Sequence, residues 1–95
     1  MIAVLTHHWA RPDRLEQARR LLDENGRAQS RHRGFVDRST LLSLANVLQI
    51  TTIVTWESEA VYDAWRASPD RAVAMAGADD LWSRPPESQR FEVAG

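Results

Sequence analysis

The stretch Thr55–Pro69 narrows the folds open to this chain more than any other. It continues from Val47–Trp56, a run rich in Val, Ile, Thr and Leu, residues that suit a pleated surface. Strand alternation puts Leu48, Ile50, Thr52, Val54 and Trp56 on one face, and Val47, Gln49, Thr51, Ile53 and Thr55 on the other. Trp56 ends the more apolar face. Ser58 follows where a side-chain oxygen can accept backbone N–H bonds as a helix N-cap. Glu59 brings negative charge into the first turn, where the helix dipole favours it. Val61, Ala64, Trp65 and Ser68 recur at helical steps and predict a core-facing stripe, with Tyr62 at its edge. Ser68-Pro69 closes this helix and opens another, because proline restricts the residue before it yet fits a first helical turn. The stretch therefore predicts strand, tight turn, helix, break, helix. Packed on a sheet, its two tryptophans and tyrosine form an aromatic wall.

Length and composition bound the rest. At 95 residues the chain predicts one domain, residues 1–95. A chain this short hides about two-thirds of its unfolded surface, so its core is small and a partner subunit would help. The formal charge of −1, from 12 basic and 13 acidic residues, leaves no basic footprint for nucleic acid. Without cysteine there is no disulfide framework and no thiolate chemistry. Every one of the 12 basic residues is arginine, which excludes lysine Schiff-base chemistry. No run approaches membrane-spanning length, and the N-terminus lacks a basic leader with an apolar core, so no membrane contact and a cytoplasmic location are expected.

Ile2–Trp9 alternates weakly, with Ile2, Val4, Thr6 and His8 against Ala3, Leu5, His7 and Trp9, and neither face is charged. That pattern predicts a strand covered on both sides. Asp13-Arg14-Leu15-Glu16 matches a capping box, opening a helix from about residue 13 to 30 that can break at Asn25-Gly26. Its stripe runs through Leu15, Ala18, Leu21 or Leu22, Asn25 and Ala28 or Gln29. The basic cluster Arg27, Arg31, Arg33 with His32 reads as a solvated helix end. Gly34 permits a turn into Phe35–Leu44, an alternating strand joined to Val47–Trp56 by Ala45-Asn46, a two-residue hairpin. Beyond Pro69, Ala72, Val73 and Ala76 face a core. Gly77 can cap that helix, or a short turn can run on through Leu81 and Trp82. Arg84-Pro85-Pro86 reads as a loop and Gln89–Val93 as a last short strand.

The order β-α-β-β-α-(α)-β is the split βαβ, ferredoxin-like arrangement: an α+β fold with a four-stranded antiparallel sheet and helices on one face. The other face is bare in a monomer, and an apolar bare face of that size marks an interface. Pro12 followed by a helix, Gly34-Phe35, Trp56-Glu57-Ser58-Glu59, an aromatic, Trp65 and Ser68-Pro69 together resemble the antibiotic biosynthesis monooxygenase (ABM) domain over nearly the whole chain. The resemblance implies a dimeric α+β barrel, packed sheet to sheet, with a pocket between each protomer's sheet and helices. The family holds cofactor-independent oxygenases that turn polycyclic phenols into quinones, haem-degrading enzymes and an isomerase-like branch. For the quinone-forming branch, Trp56 and Tyr62 match the tryptophan that ends the third strand and the tyrosine six residues later. Thr52 stands where that branch has asparagine, and the expected last-helix arginine falls near Ala76. For the haem-degrading branch, Trp65 matches a tryptophan, while Thr6 and Met75 stand where that branch has asparagine and the histidine that binds iron.

Oxidation without a cofactor needs an electron-rich phenol deprotonated, held flat and kept from water. Trp56, Tyr62 and Trp65 offer stacking surfaces and a donor. A base with a pKa near neutral takes the proton. Neighbours on a strand point oppositely, so one of His7 and His8 reaches the pocket, and His8 shares its face with Thr6. Divergent neighbours without a carboxylate or cysteine cluster make no metal site. The candidate catalytic set is therefore His8, Tyr62 and Trp56, with Trp65, Thr6, Thr52 and Met75 around the substrate, and no cofactor or metal. Two alternatives accompany this reading: a non-catalytic aromatic-binding or stress-associated dimer, and a haem-binding protein with Met75 near iron.

Overall fold

The computed structural model describes residues 1–95. Four strands form one antiparallel sheet: β1 (Ile2–Ala10), β2 (Phe35–Leu42), β3 (Gln49–Trp56) and β4 (Trp82–Glu92), in the order β2-β3-β1-β4. Three helices, α1 (Leu15–Ser30), α2 (Glu59–Arg66) and α3 (Pro69–Ala74), complete the ferredoxin-like α+β architecture that the element order predicts. None of them is long and apolar enough to cross a membrane.

Local chemistry explains the agreements. Ser58 Oγ accepts the Val61 N–H at 3.2 Å and caps α2; Ser68 Oγ accepts the Arg71 N–H at 3.2 Å and caps α3. Pro69 sits in the first turn of α3, where its missing N–H costs nothing. Gly34 takes φ +86°, and a Cβ there would lie 2.8 Å from Val61 Cγ2, so glycine both makes the turn and lets α2 approach.

Local chemistry also explains the differences. The predicted two-residue hairpin is a longer connection over residues 43–48. Ser43 Oγ accepts the N–H groups of Ala45 (3.2 Å) and Asn46 (3.0 Å), and Asn46 Oδ1 accepts that of Leu48 (3.0 Å). These short side chains capture backbone donors that the strand ladder would otherwise use. The Asp13 capping box does not form: Pro12–Arg14 make a separate 3-10 turn, and α1 starts at Leu15 with no side-chain cap. At the other end of the chain, Arg84-Pro85-Pro86 lies inside the 11-residue β4 rather than in a loop. An edge strand tolerates proline, and the β1–β4 register shifts between His7 and Ala10 absorb it.

Two further departures shape the interior. A register shift between Phe35 and Asp37 breaks the alternation of β2. It brings Phe35 against Trp56 and Arg38 opposite Val54, so both point to the helix side of the sheet. Helix α1 runs without a break through Asn25-Gly26. A Cβ on Gly26 would overlap Arg38 Nη1 and lie 2.9 Å from its Cζ, so this glycine makes room for a side chain from β2. Glycine in a helix interior costs about 0.5–1 kcal/mol relative to alanine.

The helix-covered face holds two apolar clusters. One joins Val4, Ala28, Val54, Trp56 and Trp65; the other joins Ala10, Ala18, Leu22, Ile50 and Trp82. The opposite face carries Leu5, Trp9, Leu41, Ile53 and Phe91 with no helix over it, so the two-sided cover predicted for β1 is present on one side of the chain only. Leu41 and Phe91 remain 46% and 44% exposed there.

Candidate functional site

Between the two clusters the same strand faces turn polar. Thr52 in β3 pairs with Thr6 in β1 and with Thr40 in β2, and Thr6 pairs with Ser88 in β4, so one row of hydroxyls crosses the sheet. Thr6 Oγ1 and Ser88 Oγ lie 3.1 Å apart. Helix α1 answers with Asn25 and Gln29, both buried, on the stripe that otherwise carries Leu22 and Ala28. A cavity of about 230 Å³ opens at this level.

Six of the residues singled out in the sequence meet there: Thr6 and His8 from β1, Thr52 from β3, Tyr62 and Trp65 from α2, and Met75 just past α3. Trp56 does not line the cavity. It is fully buried behind Trp65, with the two rings stacked at 6.0 Å and Tyr62 tilted against Trp56 at 5.9 Å. The aromatic wall is thus two layers deep, and only Trp65 and Tyr62 present a surface. Trp56 Nε1 is buried without a partner. Tyr62 is also fixed from outside by Arg90, whose Cζ lies 4.8 Å from the ring centre while its guanidinium bonds Glu59 (2.8 Å) and Asp63 (2.9 Å).

The choice between the paired histidines follows from alternation. His8 is 5% exposed and lines the cavity, while His7 is on the open face, where its Nδ1 lies 2.7 Å from Thr51 Oγ1. His8 Nδ1–H donates to the Ile50 carbonyl at 3.2 Å. Nε2 therefore keeps the lone pair. Burial pushes the imidazole down to about 4, against a raising effect of the Ile50 carbonyl; the positive charges of Arg38 and His7 lower it further. His8 is neutral at pH 7, a hydrogen-bond acceptor rather than the near-neutral base expected from an ordinary histidine.

Sequence reasoning passed over the cations. Arg38, Arg66 and Arg71 all line the cavity, and no aspartate or glutamate does. Arg38 Nη1 donates to Gln29 Oε1 at 3.3 Å, while its Nε is buried without a partner, as is Asn25 Oδ1. Burial lowers the Arg38 pKa, with Asp23 opposing that effect. The available signals were Asn25 and Gln29 inside an apolar helical stripe and an arginine in mid-strand. Their meeting depended on the β2 register shift. Elsewhere, no group of three His, Cys, Asp or Glu side chains is placed to hold a metal ion.

Residues 1–77 match the family described as antibiotic biosynthesis monooxygenase. Among solved structures, Rv0793 from Mycobacterium tuberculosis superposes with TM-score 0.89 at 21% identity, over 99% of this chain and 95% of that one. SnoaB, a cofactor-independent oxygenase from Streptomyces nogalater, superposes with TM-score 0.88 at 13% identity, over 99% and 93%. A conserved protein from Methanosarcina mazei Go1 gives TM-score 0.88 at 16% identity, over 95% and 89%. At these identities the likeness is one of fold. Among curated proteins none matches.

Proposed function

The chain belongs to the antibiotic biosynthesis monooxygenase family, and we propose that it oxidises a compact aromatic molecule with dioxygen and no cofactor. The observation that carries this reading is the convergence of Trp65, Tyr62, His8, Thr6 and Thr52 on one cavity between sheet and helices. Trp65 and Tyr62 offer ring faces for a flat guest. His8 Nε2 accepts a hydrogen bond from a substrate hydroxyl, and the threonine row supplies donors to the oxygen as charge builds on it. One oxygen atom of O₂ enters the substrate, turning a ring CH₂ into a carbonyl, and the other leaves as water with the two displaced hydrogens. SnoaB, which shares the fold, is such a cofactor-independent oxygenase.

At about 230 Å³ the cavity is below the ~300–1,000 Å³ usual for drug-sized ligands, which favours a compact guest over an extended polycycle. It also disfavours haem. Met75 stands at the position expected of the iron-binding histidine, and the one imidazole in the cavity, His8, comes from β1 instead. A cavity of this volume does not fit haem.

The helix-free face, with Leu5, Ile53 and Phe91, is proposed to pair with a second copy and form the dimeric barrel. Sedimentation at micromolar concentration tests this: a mass of two chains is expected, and a mass of one chain overturns it.

Aerobic and anaerobic incubation with a panel of phenols, anthrones and hydroquinones tests the activity. Oxygen-dependent product without added cofactor is expected, and its absence across the panel overturns the assignment. The depressed pKa of His8 favours a second reading, a non-catalytic binder of aromatics, because a group at about 4 is a weak base. That reading expects binding without turnover, and no loss of affinity in His8→Ala.

A further inference from the structure

We infer that the guest carries an anionic oxygen on its aromatic ring system and that Arg38 is the side chain that binds it. The inference rests on the proposed aromatic-binding cavity and adds the charge of its occupant.

The cavity is one-sided in charge. Arg38, Arg66 and Arg71 line it from β2, α2 and α3, and no carboxylate lines it; Asp23 and Asp37 border Arg38 in a separate groove beside Gly26. None of the three has a carboxylate oxygen within 4.0 Å. Arg66 is exposed at the rim and Arg71 is half-buried. Arg38 is the inner one, and its position is built rather than incidental. The β2 register shift turns it toward the helices, Gly26 leaves the space its guanidinium occupies, and Gln29 accepts from Nη1 at 3.3 Å. The carboxylates beside it in that groove, Asp23 on α1 and Asp37 on β2, are exposed and outside ion-pair distance.

A partly desolvated guanidinium held by a neutral amide, with Nε unsatisfied, is an incomplete arrangement. A planar oxyanion completes it, because a carboxylate or phenolate accepts charge-assisted bonds from the guanidinium's fixed fork. Trp65 and Tyr62, which line the same cavity, would hold the ring attached to that oxygen. The same contact favours the ionised over the neutral form of a phenolic substrate, which a buried neutral His8 does poorly. Arg38 would then supply electrostatically what the weak base lacks.

Calorimetric titration with two matched pairs tests this: naphthoate against naphthamide, and para-nitrophenolate against para-nitroanisole. The anion of at least one pair is expected to bind about tenfold or more tightly than its neutral partner, the size of one charge-assisted contact. Preference within the first pair marks a carboxylate, and preference within the second marks a phenolate. Arg38→Gln is expected to erase the preference. Gly26→Ala is expected to weaken the preference as well, by displacing the guanidinium while every cavity charge stays. Equal affinities within both pairs in the unaltered protein overturn the inference and leave the aromatic cavity standing. A preference that survives Arg38→Gln also overturns it, in favour of Arg66 and Arg71 at the rim. Failure of all four ligands to bind overturns both this inference and the cavity's aromatic role.

Discussion

The two ends of the helix-covered sheet face and its middle are made from the same strands, yet they follow opposite rules. At the ends, Ile2 pairs with Trp56, Val4 with Val54, and Ile50 lies in a cluster with Ala10, Leu22 and Trp82. In the middle, Thr52 pairs with Thr6 and Thr40, and Asn25 and Gln29 face them from α1. Apolar ends close on themselves because burial of hydrocarbon needs no partner geometry. The polar middle does not close, because each buried donor or acceptor needs a partner, and Arg38 Nε and Asn25 Oδ1 have none within the chain. A small protein thus obtains stability from two separate clusters and leaves a cavity between them.

The sharpest way to break this contrast is at the aromatic end. Trp56→Ala removes a fully buried ring that touches Phe35, Tyr62 and Trp65, and is expected to cost about 3–5 kcal/mol in urea unfolding. A loss below about 1 kcal/mol would show that Trp56 is not a core residue. Next is the acid side of the polar middle. His8 is depressed in the folded protein from 6.5 to about 4, so the unfolded chain takes up the proton first. Stability is therefore complete above about pH 6.5, falls as the pH drops, and has lost about 3 kcal/mol below pH 4. The difference between the pH–stability curves of the unaltered protein and His8→Gln isolates this from the carboxylates. A flat difference would mean that the imidazole is hydrated.

Smaller effects sharpen the comparison. Asn25→Leu replaces an unsatisfied buried oxygen with hydrocarbon of similar shape, and is expected to raise stability by about 1 kcal/mol while weakening guest binding. If stability falls instead, Asn25 is structural rather than part of the site. Ser58→Ala removes the α2 cap and is expected to cost ~1 kcal/mol, read as a shift in thermal midpoint. Since α2 carries Trp65 and Tyr62, the same variant should bind an aromatic guest slightly less tightly, through position alone.

Most of the framework was legible in the chain. Ser58, Ser68-Pro69 and Gly34 act within a few residues of themselves, so caps, a break and a turn follow from local chemistry. Alternation placed Thr6 and His8 on one face of β1, and helical spacing set Trp65 on the buried stripe of α2, because those periods are properties of the backbone. Where several local solutions compete, the sequence does not choose between them: Ser43 and Asn46 could enter the ladder or bind nearby N–H groups, and Pro85-Pro86 could end a strand or ride an edge.

What the chain determined by itself is therefore the elements, their order and the buried faces of β1, β3 and α1, since each depends on neighbours close in sequence; the face expected on α3, Ala72, Val73 and Ala76, lies exposed. What only the tertiary structure decided is the depth of Trp56, the charge state of His8 and the presence of Arg38 in the cavity. Each depends on desolvation or on a register shift, and so on groups brought together from opposite sides of the sheet.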